Sequence, residues 1–334
     1  MEQNAKRESF KDLGVIETET AIKFIKDSFQ TELARALGLT RVSAPLFVFP
    51  ESGLNDNLSG VEKPVRFKVK SVGKDAEVVQ SLAKWKRLAL KRYGFGVGEG
   101  LYTDMNAIRP DEDLDDLHSI YVDQWDWEMV ITQEQRSLCF LKDIVRKIYG
   151  ALRRTQQSLV GRFPGFEPWL PEEITFISTQ ELEDLMPDLT PREREDKIAE
   201  QYGAVFLIQI GGPLRSGAPH DSRAPDYDDW SLNGDILIWY PVLGRAVELS
   251  SMGIRVDPQS LDAQLEVSGC EERKQFPFHK ALLAGELPLT IGGGIGQSRI
   301  CMVLLGKRHI GEVQASVWSD EMLDTLSSDG ICLL

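Results

Sequence analysis

The stretch Pro288-Leu-Thr-Ile-Gly-Gly-Gly-Ile-Gly-Gln-Ser-Arg299 restricts the possible folds most. An apolar entry leads into three consecutive glycines, then Ile295-Gly296, a polar pair and an arginine. After Arg299 the residues Ile300, Met302, Val303, Leu304 and Leu305 form an apolar run that reads as a buried helix. Glycine leaves room for a ligand to approach the backbone closely. An arginine one turn into the helix supplies a fixed fork of donors. The plainer account is a tight strand-to-helix turn with no ligand, and a glycine cluster alone does not decide between the two.

Helical spacing marks Ile22, Ile25, Phe29, Leu33 and Leu37, with Gly38 as the stop. Val42 to Phe49 is extended and broken by Pro45, which favours an edge or an interface. Residues 51–60 form a turn-rich loop, and Val65, Phe67 and Val69 alternate with basic residues as a half-buried strand. Ser81 to Tyr93 is helical, and its basic residues read as a solvated face. Gly98 to Asp116 reads as irregular and acidic. From His118 to Glu128 the chain alternates strictly. His118, Ile120, Val122, Gln124, Asp126 and Glu128 share one face of that strand and Tyr121, Asp123, Trp125 and Trp127 the other. A face carrying Gln124, Asp126 and Glu128 should meet water or a polar ligand.

A long amphipathic helix is expected from about Gln133 to Leu159, and capping boxes at Ser178/Glu181 and Thr190/Glu193 open two short helices. Ala204–Ile210 and Asp235–Tyr240 are continuous apolar strands flanking a charged, aromatic loop over 220–230. Helical segments cover roughly 258–269 and 276–284. No internal repeat occurs. Strands and helices intersperse without regular βα alternation, so the pattern predicts an α/β fold with a mixed, mainly antiparallel sheet flanked by helices. Residues 1–15 read as a loose polar tail and 16–334 as a single catalytic domain.

With 38 basic against 52 acidic residues, the formal net charge is −14. That disfavours nucleic acid and anionic membranes as partners. Cys139, Cys270, Cys301 and Cys332 are dispersed and form no CxxC pair, so neither a zinc site nor a disulfide framework is indicated. The N-terminus lacks an apolar signal-like core, and no apolar run spans a bilayer. A soluble protein of a reducing compartment, the cytoplasm, is expected.

Asp235 and Glu248 fall on adjacent expected strands near glycine turns. Two carboxylates converging beside a phosphate suit Mg²⁺, which takes oxygen ligands and keeps waters. Arg109 and Arg299 lie on distant segments that could converge on phosphate oxygens. Ordinary accounts exist for each: a turn aspartate after Asn233-Gly234, or surface ion pairs of little energetic value.

Taken together, these stretches are specific. Arg109-x-x-Glu112 leading through His118 into a strand resembles the second signature of class II aminoacyl-tRNA synthetases, and Gly292–Arg299 resembles the third. The helix ending at Gly38 and the run to Pro45 resemble the first, which forms that family's dimer interface. Closer still are Asp56-Asn-Leu-Ser-Gly60, Ser81-Leu-Ala-Lys-Trp-Lys86, Gly98-Glu-Gly-Leu-Tyr-Thr103, Arg109-Pro-Asp-Glu-Asp113, Tyr121–Glu128, Arg223-Ala-Pro-Asp-Tyr-Asp-Asp-Trp230 and Glu248–Asp257. They resemble ammonia-dependent asparagine synthetases (aspartate–ammonia ligases), which are built on the class II core. The resemblance runs from about residue 18 to about residue 330. One departure is the direct run from Asp229-Trp230-Ser231 to Leu232-Asn233-Gly234, where bacterial members carry several more residues.

The resemblance implies ATP-dependent synthesis of L-asparagine from L-aspartate and ammonia through a β-aspartyl adenylate, with AMP and pyrophosphate released. It implies a homodimer. It gives Arg109 the α-phosphate, Arg299 the adenine and outer phosphates, and Glu112, His118, Gly294 and Gly296 further ATP contacts. Asp235 and Glu248 would hold Mg²⁺. Arg255 would grip the substrate side-chain carboxylate, with Ser81, Lys86, Gln124, Asp126, Asp228 and Ser251 completing the amino-acid pocket. Asp56 would take the α-ammonium or position and deprotonate ammonia. No Lys-Ser/Thr follows the glycines, so they are expected to form a flat floor under adenosine, not a P-loop.

The alternatives are an aspartyl- or asparaginyl-tRNA synthetase-like enzyme, a glutamine-dependent synthetase and an inactive class II paralogue acting as a binding module. The acidic charge and the helix beginning almost at once oppose the first. The second needs an N-terminal cysteine nucleophile, and residue 2 is Glu. The retained carboxylates and both arginines oppose the third.

Overall fold

The structure is a computed structural model that describes residues 13–55 and 63–334. Helix α1 (Val15–Leu37) buries Ile22, Ile25, Phe29, Leu33 and Leu37 and ends where Gly38 turns left-handed, φ 67°, and donates to Ala34. Leu39 then enters the edge strand β1 (Leu39–Arg41). A small antiparallel sheet follows, with β4 (Lys74–Val78) between β2 (Phe47–Val48) and β3 (Arg66–Val69). The half-buried strand expected at 65–70 forms, with Val65 and Val69 partly buried and the basic residues between them exposed, but Phe67 departs from it. Phe67 stays 39% exposed because β3 has a partner only in β4 and little packs over it.

Helix α2 (Ala83–Tyr93) leads to β5 (Gly100–Ile108) and β6 (Tyr121–Val130). The segment read as irregular therefore contains a nine-residue strand. Its local pattern is weak, but β1 lies on one side and β6 on the other, and two ladders outweigh local propensity. Helix α3 (Leu138–Arg162) starts later than expected, where Ser137 accepts a cap from Phe140 N. After β7 (Thr175–Ser178), both capping boxes form as expected and open α4 (Thr179–Leu185) and α5 (Pro191–Tyr202).

The buried strand β8 (Ala204–Ile208) is followed by β9 (Asp228–Tyr240) and β10 (Arg245–Arg255). β9 takes in Asp228, Asp229 and Trp230, placed in the loop by sequence, and runs without interruption through the shortened stretch. Helices α6 (Pro258–Val267) and α7 (Pro277–Leu283) precede β11 (Thr290–Gly296), α8 (Gln297–Leu305) and α9 (Asp320–Ser328).

Eight strands form one sheet in the order β1-β5-β6-β11-β10-β9-β8-β7. Only the outer pairs β1/β5 and β7/β8 are parallel, so the sheet is mixed and mainly antiparallel, as expected. Helices α1, α3 and α8 cover one face around a single large core. On that face Phe29 meets Trp125 with ring centroids 4.7 Å apart. Because strand residues alternate, Gln124, Asp126 and Glu128 must then point to the opposite face.

Candidate active site

On that opposite face lies a cleft of about 590 Å³, within the size range of small-molecule sites. The central strand β11 floors it. Gly292, Gly294 and Gly296 stand opposite Glu128, Asp126 and Gln124 of β6. A Cβ on Gly292 would lie 2.1 Å from Glu128 Oε2, and one on Gly294 would lie 2.4 Å from Gln124 Oε1. On the core side, a Cβ on Gly293 would strike Met252 Cβ at 2.5 Å. The glycines are thus a strand interior made flat by close neighbours on both faces, which replaces the picture of a turn.

At one end of the cleft the charges are paired. Arg255 donates from Nε to both Glu128 oxygens at 3.0 and 3.1 Å, from Nη2 to Glu128 Oε2 at 2.7 Å and from Nη1 to Asp228 Oδ1 at 2.6 Å. Thr290 adds a hydroxyl bond to Glu128 at 2.7 Å. Lys86 donates to Asp126, to Trp127 O at 2.9 Å and to Gly293 O at 3.2 Å. Burial pushes the Glu128 carboxyl up, but Arg255 and Lys86 outweigh it and hold the group below the usual range. For Asp126 and Asp228 burial wins over Lys86 and Arg255, and both sit above the usual range.

Lys84, Lys86 and Arg87 are buried, so the solvated basic face expected for this helix is wrong for its first half. Lys84 pairs with Asp226 at 3.3 Å, and Arg87 donates to Pro288 O and Val256 O. Burial lowers Arg87 to about 10. Specific acceptors on β6 and β11 and in the loops before β9, after β10 and before β11 explain the reversal, since buried charges survive only when paired. Lys91 and Arg92, in the last turn, remain exposed.

The other end presents a free donor. Arg109 lines the cleft, and its Nε is buried with no hydrogen-bond partner. Glu112, His118, Glu248, Ser251, Gly294, Gly296 and Arg299 line the same cavity. Arg299 Nη1 donates to Glu248 O at 3.0 Å. The start of α8 is fixed by Asp123, which accepts from Ser298 N at 3.0 Å and pairs with Lys26 at 2.8 Å.

Ser81, Lys86, Gln124, Asp126, Asp228 and Arg255 also line the cavity, so nearly every residue singled out from the sequence converges there. Two do not. Asp56 lies outside the described residues. Asp235 is buried outside the cavity lining, with one oxygen bonded to Arg223, the Ser251 side chain beside the carboxyl and Oδ1 without a hydrogen-bond partner. Burial raises Asp235 well above the carboxylate range, and nearby Glu248 adds to the rise while Arg223 opposes it.

Among the described residues no group of three or more His, Cys, Asp or Glu forms a metal cluster. Asp235 and Glu248 nonetheless offer only oxygen donors, and the unpartnered Asp235 Oδ1 fits a hard cation that takes its other ligands from water and phosphate. Glu128 and Arg223 escaped sequence reasoning as site residues. The alternation of β6 carried a signal for Glu128; nothing local marked Arg223 as the cation beside Asp235.

The family model described as aspartate–ammonia ligase matches residues 16–330. An aspartate–ammonia ligase of Ruminiclostridium cellulolyticum is 62% identical over 331 residues, covering 98% of each chain. Proteins of the same name from Lactobacillus johnsonii and Fusobacterium nucleatum are 60% and 58% identical over 96% of this chain.

Among solved structures, the asparaginyl-tRNA synthetase of Pyrococcus horikoshii complexed with asparaginyl-adenylate superposes with a TM-score of 0.66 at 15% identity. The match covers 91% of this chain and 70% of that one. The Entamoeba histolytica asparaginyl-tRNA synthetase matches at 0.64 and 14%, over 90% of this chain and 66% of its own. At such identities the likeness concerns the fold, that of class II synthetases. With a family model matched over nearly its whole length and relatives about 60% identical end to end, this chain belongs to the aspartate–ammonia ligase family, ligases that form a carbon–nitrogen bond.

Proposed function

We propose that the cleft makes L-asparagine from L-aspartate, ammonia and ATP in two steps. In the first, an oxygen of the substrate β-carboxylate attacks the α-phosphorus of ATP. The bond from that phosphorus to the oxygen bridging the β-phosphate breaks, and pyrophosphate leaves. In the second, the ammonia lone pair attacks the acyl carbon. The carbon–oxygen bond to the adenylate breaks, AMP leaves and the nitrogen gives up one proton. Positioning and charge stabilisation carry such chemistry.

The observation that supports this most is the division of one glycine-floored cavity into an end of paired charges and an end where the buried Arg109 Nε has no partner. Arg109 takes the α-phosphate, because a buried donor without a partner is costly until a ligand completes it. Arg299 takes the adenine and outer phosphates, framed by Glu112, His118, Gly294 and Gly296. Arg255 receives the substrate side-chain carboxylate. Three of its N–H groups are spent on Glu128 and Asp228, leaving two of a guanidinium's five. Ser81, Lys86, Gln124, Asp126, Asp228 and Ser251 surround the rest of the amino acid. Asp56 binds the α-ammonium or accepts the proton that ammonia releases.

Glu248 and Asp235 would hold Mg²⁺, which when bound supplies positive charge to the phosphates. The catalytic domain is residues 16–334, working in the cytoplasm as a homodimer. The apolar stripe of α1 is spent inside its own chain, so the half-exposed Leu46 and Phe47 after Pro45 form the contact. No described helix is long and apolar enough to cross a membrane.

The test is AMP formation from ATP. It should require aspartate, ammonium salt and Mg²⁺ together, and glutamine should not replace ammonium. Attachment of aspartate or asparagine to tRNA, or AMP formation indifferent to ammonium, would overturn the reading.

A further inference from the structure

Gln80 follows the end of β4, where the chain turns from the small sheet into α2. It is fully buried, lines the cleft, and both Oε1 and Nε2 lack a hydrogen-bond partner. Among the described residues it is the only side chain with both polar atoms in that state. Its backbone is fixed: Gln80 N donates to Asn55 Oδ1 at 2.8 Å, and Val79 N donates to Leu46 O at 3.0 Å. Val79 and Leu82 pack into an apolar cluster with Met105 and Ala107, so the turn is anchored independently of the Gln80 amide.

Burying a carboxamide with neither end satisfied works against folding. Methionine would fill a similar volume without that penalty. A group so placed in a binding cleft marks the outline of a missing ligand. The ligand must offer an acceptor to Nε2 and, beside it, a donor to Oε1. A carboxylate satisfies only the first and an ammonium only the second. An acyl carbonyl with ammonia against its carbon satisfies both, and so does the carboxamide that results.

We propose that Gln80 holds the nitrogen donor against the activated acyl group. Nε2 donates to the acyl oxygen, Oε1 accepts an N–H of ammonia, and the same two contacts read the carboxamide of the product. Being neutral, the amide does not favour ammonium over ammonia as a carboxylate would, so the lone pair stays available. Gln80 gives and takes no proton and acts by orientation. Its neighbours in the cleft wall, Ser81, Lys86, Gln124 and Asp126, belong to the end assigned to aspartate. This inference rests on the two-step reading given above.

The test compares the unchanged enzyme with Gln80→Met, which removes both polar atoms, and Gln80→Glu, which keeps the shape but loses the donor. Aspartate-dependent exchange of labelled pyrophosphate into ATP reports the first step without ammonia. Asparagine formation against ammonium concentration reports the second. For both variants exchange should stay near the unchanged rate while the ammonium KM rises by about tenfold or more, the scale of a lost hydrogen bond. The melting temperature of Gln80→Met should hold or rise.

An unaltered ammonium KM overturns the proposal. So does a parallel loss of exchange and ligation, with or without a fall in melting temperature, because that outcome makes Gln80 a structural or first-step residue. Failure of the unchanged enzyme to exchange pyrophosphate would strike the two-step reading itself.

Discussion

Arg255 and Arg109 line the same cleft under opposite conditions. Arg255 is locked between Glu128 and Asp228, whereas the buried Nε of Arg109 has no partner. The first end is built before any substrate arrives; its charges are paired within the chain, and the folded chain itself bears their desolvation. The second end leaves a guanidinium donor unfilled, so it is completed by the ligand. An amino acid of fixed shape meets a rigid frame, and a polyanion meets a donor held in reserve.

The comparison breaks most visibly at Arg255. Arg255→Ala leaves Glu128 and Asp228 buried without their counter-charge, and the expected loss of stability is about 3–5 kcal/mol, read from the urea midpoint. A midpoint near that of the unchanged protein would show that the ionic end is not a built frame. Arg299→Ala should do the reverse. Activity should fall about 10²–10³-fold, as on removal of a charge-stabilising donor, with a nearly unchanged midpoint. A variant that stays active would remove Arg299 from the nucleotide site.

The smallest expected effect sharpens the contrast through pH. Glu128 has a lowered folded pKa, so its contribution is fully present above its ordinary value of 4.5 and is lost as pH falls through the folded value. Asp235 is raised, so the folded state binds its proton more tightly than the unfolded chain. Its contribution is present below the ordinary 3.8 and is lost as pH rises toward the folded value. Asp235→Asn should therefore raise the urea midpoint at pH 7, with the gain shrinking as pH falls toward 3.8. A midpoint that drops at neutral pH would show that the Arg223 pair outweighs the burial of Asp235.

Much of this was legible locally. Alternation from His118 to Glu128 assigned two faces of β6 correctly, and the caps at Ser178 and Thr190 form where their spacing put them. The faces of β5 were not legible, because its order comes from two neighbouring strands. Nor were the partners of Lys84, Lys86 and Arg87, whose spacing is equally that of a solvated helix.

By itself, then, the sequence determined the mixed sheet and the family, and nearly all the residues it singled out line the cleft, because period-two and helical patterning and long in-register motifs are local properties of the chain. Only the tertiary structure decided which charges are satisfied. Asp126 reaches Lys86 across 40 positions and Arg255 reaches Glu128 across 127, while Asp235 withdraws behind Arg223 and the Gln80 side-chain amide is left without a hydrogen-bond partner. Burial and pairing depend on what folds over a residue, and no spacing along one segment contains that.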